Sequence, residues 1–424
     1  MKEFQHSFSG IVERMLSSPS PIRQIMKMAE RANIINMGLN PDDVISFGGG
    51  WVNHRAPEGF RESYLEIVSD VEKFHRSGAY SATLGELSLR ETVCKMEEEL
   101  FGMKGLGPEN VIIGMGSTQL THDLLLTLAN PGDAIYMLDP TYANYPGQIQ
   151  FALREAKVIY QPVIDLESWS WMPSVDEAVE SMVELMRRYK PKVAILPSPD
   201  NPTSQIPPEG FVKAALETLS EWGGYLLLDF AYKTQYFGDS YPDYFSFSPA
   251  DHPNMVAIHS NSKWCRGLGR RLGWVEASEE VISAMERTQQ CTILCPDSLH
   301  QLAMREYLER ALEDGSLREY IDRVRGDYES AAKVTVDEIR KRLGFPHFIP
   351  QGGLYTCMNV GMDADRFVEE VLRSTGVLFI PGRGFGETLK EAVRISYGPL
   401  VDSKEKITEG FERVESYLKR SGRI

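Results

Sequence analysis

The sequence predicts an α/β protein whose mostly parallel sheet is covered by helices on both faces. Between about residues 56 and 296, short and continuously apolar runs alternate with amphipathic helical segments, and this alternation is typical of parallel strands buried on both faces. From residue 297 onward, long charged helices precede three more short strands. We therefore expect an N-terminal arm at residues 1–55 that packs with a smaller α+β domain at 297–424, and a large domain at 56–296.

Composition indicates a globular protein that binds neither nucleic acid nor membranes. The 424 residues are 42% hydrophobic and 25% charged, with a formal net charge of −15, which disfavours polyanionic partners. No apolar run suits a signal peptide or a membrane span. The five cysteines are an odd number without a CxxC pair, so we expect reduced core thiols and a cytoplasmic location. Cys291 and Cys295 with His300 fit a helix interior better than a metal site, and we predict no metal.

The predicted elements of the arm and the large domain indicate where the candidate residues lie. In the arm, Ile22, Ile25, Met26 and Ala29 fall at helical spacing, and three glycines at residues 48–50 let the backbone approach a neighbour closely. Ligands of parallel sheets bind beyond the carboxyl ends of the strands, which is where the candidates below fall. The predicted strands of the large domain lie at residues 111–113, 134–138, 193–196, 225–228 and 255–258.

The segment at residues 258–274 combines small residues and cations without a carboxylate. Ser260 and Ser262 offer hydroxyls just before Lys263, and Arg271 lies eight residues beyond that lysine. Hydroxyls with a fixed cation suit a phosphate. A lysine among other cations has its pKa pushed down, so more of it is the free amine that forms a Schiff base. The alternative is a basic surface loop.

A second anion site is predicted where the strand at residues 111–113 turns into a helix. Gly116, Ser117 and Thr118 stand at this turn. The first amides of a helix have no partners within it, and the helix dipole favours an anion there. The two hydroxyls would add hydrogen bonds to that anion, although a plain helix cap is the alternative.

Polar side chains follow three further strands. Tyr142 can stack on a planar ring, or it is a half-buried core tyrosine. Asn201, before a proline, offers an amide to a phenolic oxygen, or it forms an Asx-turn. Asp229 ends its strand and needs a cation or a proton-bearing nitrogen as partner, and Tyr232 stands within reach of the same ligand; a helix cap is the alternative for Asp229.

Arg394 completes the set from the second domain. It lies in a strand-like run at residues 393–396, where an inward arginine can grip a carboxylate with two hydrogen bonds, unless it is an exposed strand charge. The combined residues supply a phosphate site, a stacking face, a carboxylate for a ring nitrogen, partners for a phenolate, and an amine. This combination matches pyridoxal phosphate.

On these motifs the chain resembles the class I aminotransferases of the pyridoxal-phosphate fold-type-I superfamily. It is most similar to the branch that holds the aminoadipate, kynurenine and aromatic aminotransferases. The resemblance runs from about Ile22 to the C-terminal helix, nearly the whole chain. The motifs that carry it are Ser-Asn-Ser-Lys at 260–263 with Arg271, Asn-Pro-Thr at 201–203, Asp229 with Tyr232, Asp-Pro-Thr-Tyr at 139–142 and Val-Arg-Ile-Ser at 393–396.

The resemblance implies a role for each site residue. Lys263 holds pyridoxal phosphate as a Schiff base and then moves the substrate proton, while Asp229 keeps the pyridine nitrogen protonated and Tyr232 bonds the ring oxygen. Tyr80 would reach the phosphate of a neighbouring subunit, which implies a homodimer with shared active sites. The implied cofactor-binding set is Ser117, Thr118, Tyr142, Asn201, Asp229, Tyr232, Ser260, Ser262, Lys263, Arg271 and Tyr80. The implied substrate-binding set is Arg394, Asn201, Gly50 and Arg23.

We therefore expect an aminotransferase that moves the amino group of an L-amino acid to a 2-oxo acid, with 2-oxoglutarate as the expected acceptor. Arg23 favours acidic donors such as aminoadipate, glutamate or aspartate, whereas the many tyrosines and tryptophans leave an aromatic donor open. One alternative is a lyase, cyclase or decarboxylase with the same cofactor. Another is a non-catalytic ligand-sensing module, which the acidic composition disfavours when the module binds DNA.

The sequence also departs from the family pattern at four positions. Ser204 follows the Asn-Pro-Thr motif where glycine is usual, and the bulky Trp264 follows the lysine directly. Trp51 and Asn53 replace the common leucine and proline after the glycines. The resemblance places Trp51 and Asn53 beside the substrate side chain, so these two residues bear on substrate choice.

Overall fold

The computed structural model describes residues 7–17 and 21–424, with the side chains of residues 21–24 outside the description. No helix in these residues is long and apolar enough to cross a bilayer. The described helices are α1 Gly10–Ser17, α2 Pro21–Met28, α3 Arg31–Asn36, α4 Glu58–Ser69, α5 Val71–Ser77, α6 Leu87–Phe101, α7 Ser117–Leu128, α8 Tyr145–Leu153, α9 Val175–Tyr189, α10 Glu209–Ser220, α11 Asn261–Trp264, α12 Glu279–Thr292, α13 Ser298–Glu313, α14 Ser316–Glu338, α15 Ala364–Thr375 and α16 Lys404–Arg420.

Short strands alternate with these helices over most of the chain. Of the described strands, β1 Ile45–Ser46, β5 Ile164–Asp165, β6 Ser170–Trp171, β12 Val377–Leu378 and β13 Ile380–Pro381 have two residues each. The longer strands are β2 Val111–Gly114, β3 Ala134–Asp139, β4 Lys157–Pro162, β7 Val193–Pro197, β8 Tyr225–Asp229, β9 Met255–Ser260, β10 Gly273–Glu276, β11 Tyr355–Asn359 and β14 Ala392–Ser396.

Seven strands form the central sheet in the order β2-β10-β9-β8-β7-β3-β4. Its five strands from β9 to β4 pair in parallel, and β10 runs antiparallel to both of its neighbours. The inner strands are buried along their length, and apolar clusters cover both faces of the sheet. The predicted fold class, a mostly parallel sheet between helices, is confirmed.

Two strands of this sheet are missing from the sequence prediction. The edge strand β4 alternates between exposed and buried residues, so it lacks the continuous apolar run that marks the inner strands. Strand β10 has four residues and follows the basic segment directly, and its length gives no periodicity to detect. Both strands depend on pairing with a neighbour that is distant in sequence.

A separate three-stranded antiparallel sheet, in the order β11-β14-β13, forms the core of the C-terminal region. Strand β1 of the N-terminal segment pairs in parallel with β12, so residues 45–46 pack against this region. Helix α13 instead packs on α4 and α6 of the large sheet's helical layer. The division of the chain at residues 55 and 296 stays a prediction.

The cysteines differ in part from the prediction that all are core thiols. Cys265 and Cys357 are buried, but Cys94 and Cys295 are half-buried and Cys291 is exposed. Cys291 lies on the outward side of α12, a helix whose inner face is formed by other residues. All five thiols are unpaired.

The carboxyl ends of strands β3, β7, β8 and β9 meet at one edge of the sheet because these strands run parallel. Asp139 ends β3, Asp229 ends β8 and Ser260 ends β9, while Asn201 follows β7 after four residues. The fold thus brings the polar residues that follow separate strands to one place.

Candidate active site

One cavity of about 260 Å³ opens at this edge of the sheet. It lies between the glycine loop at residues 48–51, the start of α7, the strand ends of the large sheet and strand β14. Eight residues predicted from the sequence line it: Gly50, Ser117, Tyr142, Asn201, Asp229, Tyr232, Lys263 and Arg394.

Lys263 projects into the cavity from α11, a single helical turn that begins at the end of β9. Its Nζ donates a hydrogen bond to the Gly50 carbonyl at 2.5 Å and lies 5.7 Å from the centre of the Tyr232 ring. Burial, followed by the charges of Arg394 and Arg271, lowers the pKa of Lys263 to about 8. A sizeable share of this amine is therefore unprotonated near neutral pH, as a nucleophile or a base requires.

Asp229 lies on the cavity floor and is buried. The Tyr145 hydroxyl donates to its Oδ2 at 2.6 Å, and the Ala231 amide donates to its Oδ1 at 3.0 Å. Burial raises the pKa of Asp229, and the Tyr145 hydrogen bond and the Ala231 amide oppose that rise. Tyr145 was not singled out from the sequence; its spacing three residues after Tyr142 was the available signal.

Arg394 reaches the cavity from β14 and is 4% exposed. Its Nη1 donates to Asn201 Oδ1 at 3.1 Å and its Nη2 to the Gly48 carbonyl at 2.8 Å. The guanidinium lies 4.4 Å from the centre of the Tyr355 ring, and its buried Nε has no partner. The arginine is thus held in place while part of its hydrogen-bonding capacity stays free.

Tyr232 and Tyr355 meet above the same wall, with their hydroxyl oxygens 2.8 Å apart. Tyr355 belongs to β11 of the C-terminal sheet, and its position in that strand gave no separate signal in the sequence. The two hydroxyls and the Asn201 amide are polar groups to which a phenolic oxygen inside the cavity could bond.

An anion site forms where α7 begins. Ser260 Oγ donates to Ser262 Oγ at 2.9 Å, and Arg271 Nη1 lies 3.4 Å from that Ser262 oxygen. Gly116 caps α7 with φ +84°, and a Cβ added there would stand 2.7 Å from Arg271 Nη2. Two hydroxyls, a guanidinium and the free amides of a helix start therefore converge beside Ser117, which suits a phosphate.

Five predicted site residues with described side chains lie outside the cavity lining. Three of them, Ser260, Ser262 and Arg271, form the anion site beside the cavity. Thr118 is exposed in the first turn of α7, and Tyr80 is 83% exposed on the surface. The Arg23 side chain falls outside the described residues.

The residues that depart from the family pattern have defined places. Ser204 adopts φ +57°, a left-handed conformation that favours glycine, and its Oγ accepts a hydrogen bond from the Tyr355 amide at 3.0 Å. Trp264 is buried, and His54 Nε2 lies 3.0 Å from its carbonyl oxygen. Trp51 is 40% exposed and lines the cavity. At the first of these positions, Ser204 adopts the same left-handed conformation that a glycine would, so the turn after Asn-Pro-Thr is kept.

These groups together fit pyridoxal phosphate. The anion site suits the phosphate, the buried Asp229 suits a protonated pyridine nitrogen, and Lys263 supplies an amine for the aldehyde. A buried carboxylate is stabilised by a cationic or proton-bearing partner, and a protonated ring nitrogen would supply one to Asp229.

Comparison with known proteins gives the same family. The family model described as aminotransferase class I and II matches residues 51–414. Among curated proteins, the aspartate aminotransferase of Pyrococcus horikoshii is 28% identical over 96% of this chain and 97% of its own. The aromatic-amino-acid aminotransferase 2 of Thermococcus litoralis is 25% identical over 95% of this chain and 96% of its own.

Solved structures show the same fold. A double mutant of the Thermus thermophilus aspartate aminotransferase superposes with a TM-score of 0.82 at 23% identity, covering 97% of this chain and 100% of that one. The aromatic aminotransferase of Pyrococcus horikoshii gives a TM-score of 0.78 at 23% identity, over 90% and 97% of the two chains. Because the family model spans most of its length, the chain belongs to the class I and II aminotransferases and is a pyridoxal-phosphate-dependent enzyme of that family.

Proposed function

We propose that this cavity moves an amino group between an L-amino acid and a 2-oxo acid, with Lys263 as the group that takes and returns the substrate proton. The observation that supports this most is a lysine whose pKa is lowered to about 8, in one cavity with a buried carboxylate and a buried arginine.

Bound pyridoxal phosphate withdraws electrons from the substrate, so that its Cα proton can leave. Lys263, as a free amine, would take that proton from Cα and return it to the cofactor carbon on the other side of the shared nitrogen. Asp229 would hold a proton on the ring nitrogen, and the Tyr145 hydroxyl would keep the carboxylate ionised and oriented. Asn201 and Tyr232 would bond the ring oxygen, and Tyr142 would cover one face of the ring.

Ser117, Ser260, Ser262 and Arg271 would hold the phosphate at the anion site, and the exposed Thr118 would add to this site from the first turn of α7. This role follows from their convergence at the start of a helix, where amides and dipole both favour a dianion. A fixed phosphate would keep the ring in register with Lys263 through both halves of the reaction.

Arg394 would bind the substrate's α-carboxylate beside the Gly50 backbone. It is buried, its Nε has no partner, and its two hydrogen bonds go to neutral oxygens. A buried cation gains from an anionic partner, and every amino acid and 2-oxo acid brings one. Neutral acceptors can be exchanged for that carboxylate when the substrate enters.

The outer wall of the cavity favours a donor with an aromatic or apolar side chain. Within the part of the chain that the structure describes, the cations lining the cavity are Lys263 and Arg394, and the outer wall includes Met26, Trp51 and Phe385. A side-chain carboxylate of the donor would thus meet an apolar surface. We propose 2-oxoglutarate as the acceptor, whose second carboxylate needs a further cation such as Arg23.

An acidic donor is the second candidate. The aspartate aminotransferases of Pyrococcus horikoshii and Thermotoga maritima are among the similar curated proteins, at 28% and 26% identity. If Arg23 folds over the cavity, it would supply the second cation that an acidic side chain needs.

Donor kinetics distinguish the two candidates. For an aromatic donor, kcat/KM should exceed that for aspartate and aminoadipate by at least about tenfold, since an unpaired carboxylate on an apolar wall costs more than 1.4 kcal/mol. Glutamate is the amino form of the proposed acceptor and shares its contacts, so it stands outside this comparison. Trp51→Ala should lower the value for aromatic donors selectively. A preference for acidic donors that disappears in Arg23→Ala would reject the aromatic proposal in favour of the acidic one.

We also propose a homodimer with shared active sites. Helices α4 and α5 and the loop after them expose large apolar side chains, including Val71 at 78%, Phe74 at 55% and Tyr80 at 83%. Exposed apolar side chains gathered in one stretch indicate an interaction surface. A second copy of this chain would cover them and bring its Tyr80 to the neighbouring phosphate.

The unpaired cysteines support a cytoplasmic location, which we also propose. Cys94, Cys265, Cys291, Cys295 and Cys357 all remain free thiols, as is usual in a reducing compartment.

A further inference from the structure

A buried cluster of four charged or titratable side chains lies behind the cofactor site. Glu97 comes from α6, Lys233 from the turn after β8, His259 from β9 and Glu276 from β10. All four are at most 3% exposed. We call Glu97, Lys233, His259 and Glu276 the buried charge network.

Specific contacts join the four side chains. Lys233 Nζ donates to Glu97 Oε2 at 2.5 Å and lies 4.1 Å from the centre of the Phe101 ring. His259 lies between the two carboxylates, with Nε2 3.1 Å from Glu276 Oε2 and Nδ1 3.7 Å from Glu97 Oε1. The His259 ring therefore presents one nitrogen to each carboxylate.

The aromatic and titratable surroundings complete this site. Trp274 donates to Glu276 Oε1 at 2.9 Å and stacks on His259 with ring centres 5.1 Å apart. Burial raises the pKa of Glu276, but His259, Lys233 and Trp274 together hold it below its ordinary value. Burial and Glu276 raise the pKa of Glu97, against Lys233 and His259, so its ionisation depends on those cations. Burial, followed by the charge of Glu276, raises the pKa of the Cys94 thiol to about 12.

Two network residues are sequence neighbours of proposed cofactor ligands. Lys233 follows Tyr232 and His259 precedes Ser260, two proposed cofactor ligands. A small cavity of about 20 Å³ lies beside the network. Trp264, which directly follows Lys263, lines this cavity together with Phe230 and Trp274. Two segments that carry the cofactor site, one with Tyr232 and one with Ser260 and Lys263, are therefore anchored from behind by one set of charges.

The network has the composition of a metal site, but its charges argue against a metal. Glu97, His259 and Glu276 offer ligand atoms within 4.8 Å of one another. The Lys233 ammonium already occupies Glu97, so a divalent ion would leave excess positive charge in a buried site. Each carboxylate already has a basic neighbour, Lys233 beside Glu97 and His259 beside Glu276, and buried carboxylates need such partners.

We propose that the buried charge network gives each of its carboxylates a basic partner and thereby positions the two cofactor-binding segments that carry Tyr232, Ser260 and Lys263. Its members act through their chain neighbours and are positioning residues. The inference rests on the proposed roles of those three residues. Loss of one charge should tilt or loosen the bound cofactor, and loss of two opposite charges should restore its position.

Holoenzyme variants test this pairing. Lys233→Met should release cofactor on dialysis at least about tenfold faster than the wild type and reduce the visible circular dichroism of the bound cofactor, since it leaves a buried carboxylate unpaired. The double variant Glu97→Gln with Lys233→Met should come within about threefold of the wild type. Lys213→Met, which breaks an exposed lysine–glutamate pair, is the matched control and should change neither signal.

Glu276→Gln is the second test variant, for use if Lys233→Met does not fold. It keeps the side-chain shape, removes one charge of the network and should show the same loss of bound cofactor and dichroism. Three results would overturn the proposal: wild-type retention and dichroism in the folded single variants, a double variant no better than Lys233→Met, or one equivalent of divalent metal in the purified holoenzyme. Retention and dichroism are measured without turnover, so their outcome is separate from failure of the proposed reaction.

Discussion

At the scale of single residues, the amine of Lys263 decides what the cavity can do. Burial and two arginines lower its pKa to about 8, whereas Asp229 opposes them. The free amine therefore becomes abundant as the pH rises through about 8, well below the value for an exposed lysine. A lysine in water would need a much more alkaline solution to react as a nucleophile.

This electrostatic account predicts the pH dependence of cofactor attachment. In apoenzyme mixed with pyridoxal phosphate, the attachment rate should rise through a midpoint near pH 8 and then level off. Arg394→Gln removes a charge that lowers the Lys263 pKa, so its midpoint should move to higher pH. Arg270→Gln, at an exposed position, serves as the control. An Arg394→Gln midpoint equal to that of the wild type would show that the arginine does not tune the amine.

Individual site residues were predictable from the sequence when the chain places them in a short motif. Asp229 ends a strand and Arg394 lies within one, while Lys263 follows three residues after the end of an apolar strand. Tyr145 and Tyr355 were missed because their roles depend on a partner more than eighty residues away. Burial of Lys233 could not be predicted either, since a lysine between polar residues is normally exposed.

At the scale of elements, the start of α7 determines the anion site. Gly116 provides the positive φ that lets strand β2 turn into the helix, and it leaves room for the Arg271 guanidinium. Both the backbone turn at residue 116 and the position of the Arg271 guanidinium therefore require a residue without a Cβ.

Gly116→Ala should weaken cofactor binding more than it weakens the fold. A backbone with φ +84° and ψ 165° is nearly confined to glycine and costs alanine roughly 1–3 kcal/mol. The new Cβ would also displace Arg271, so we expect at least about a tenfold higher Kd for pyridoxal phosphate. Gly132→Ala has φ +90° and open space around its Cβ, so it reports the strain alone. Thermal unfolding and a cofactor titration measure the two effects. Equal cofactor affinity in both variants would contradict a role for this glycine at the anion site.

Elements with an apolar run of their own were predictable, and those defined by pairing were not. The predicted strands from 111–113 to 255–258 match β2, β3, β7, β8 and β9 within about two residues at each end. The edge strand β4 and the short antiparallel β10 owe their conformation to neighbouring strands, and sequence periodicity carries no trace of such pairing.

At the scale of the whole molecule, the exposed apolar side chains of α4, α5 and Tyr80 connect the fold to the proposed dimer. If Tyr80 completes the phosphate site of the neighbouring subunit, each active site takes Lys263 from one chain and Tyr80 from the other. Neither variant alone would then have an intact site.

Hybrid dimers test this arrangement. Lys263→Ala and Tyr80→Ala homodimers should both lose most activity, whereas mixing the two after reversible dissociation should restore activity to about a quarter of the wild-type value. Half of the chains would form hybrids at random pairing, and each hybrid would hold one intact site. A mixture no more active than its parents would contradict shared sites.

The dimer surface itself is tested by Phe74→Asp, which puts a charge on the exposed apolar face of α5. This variant should sediment as a monomer and be inactive.

The most direct measurement of the central claim is the half-reaction of the purified holoenzyme with one amino acid at a time. We predict that a productive donor abolishes the visible absorbance of the bound cofactor and releases one equivalent of its 2-oxo acid per site, and that adding 2-oxoglutarate restores the band. Lys263→Ala should convert donor at least about a hundredfold more slowly, because the proton-transfer group is gone. Unchanged conversion by Lys263→Ala, or a visible band that no amino acid discharges, would contradict the account.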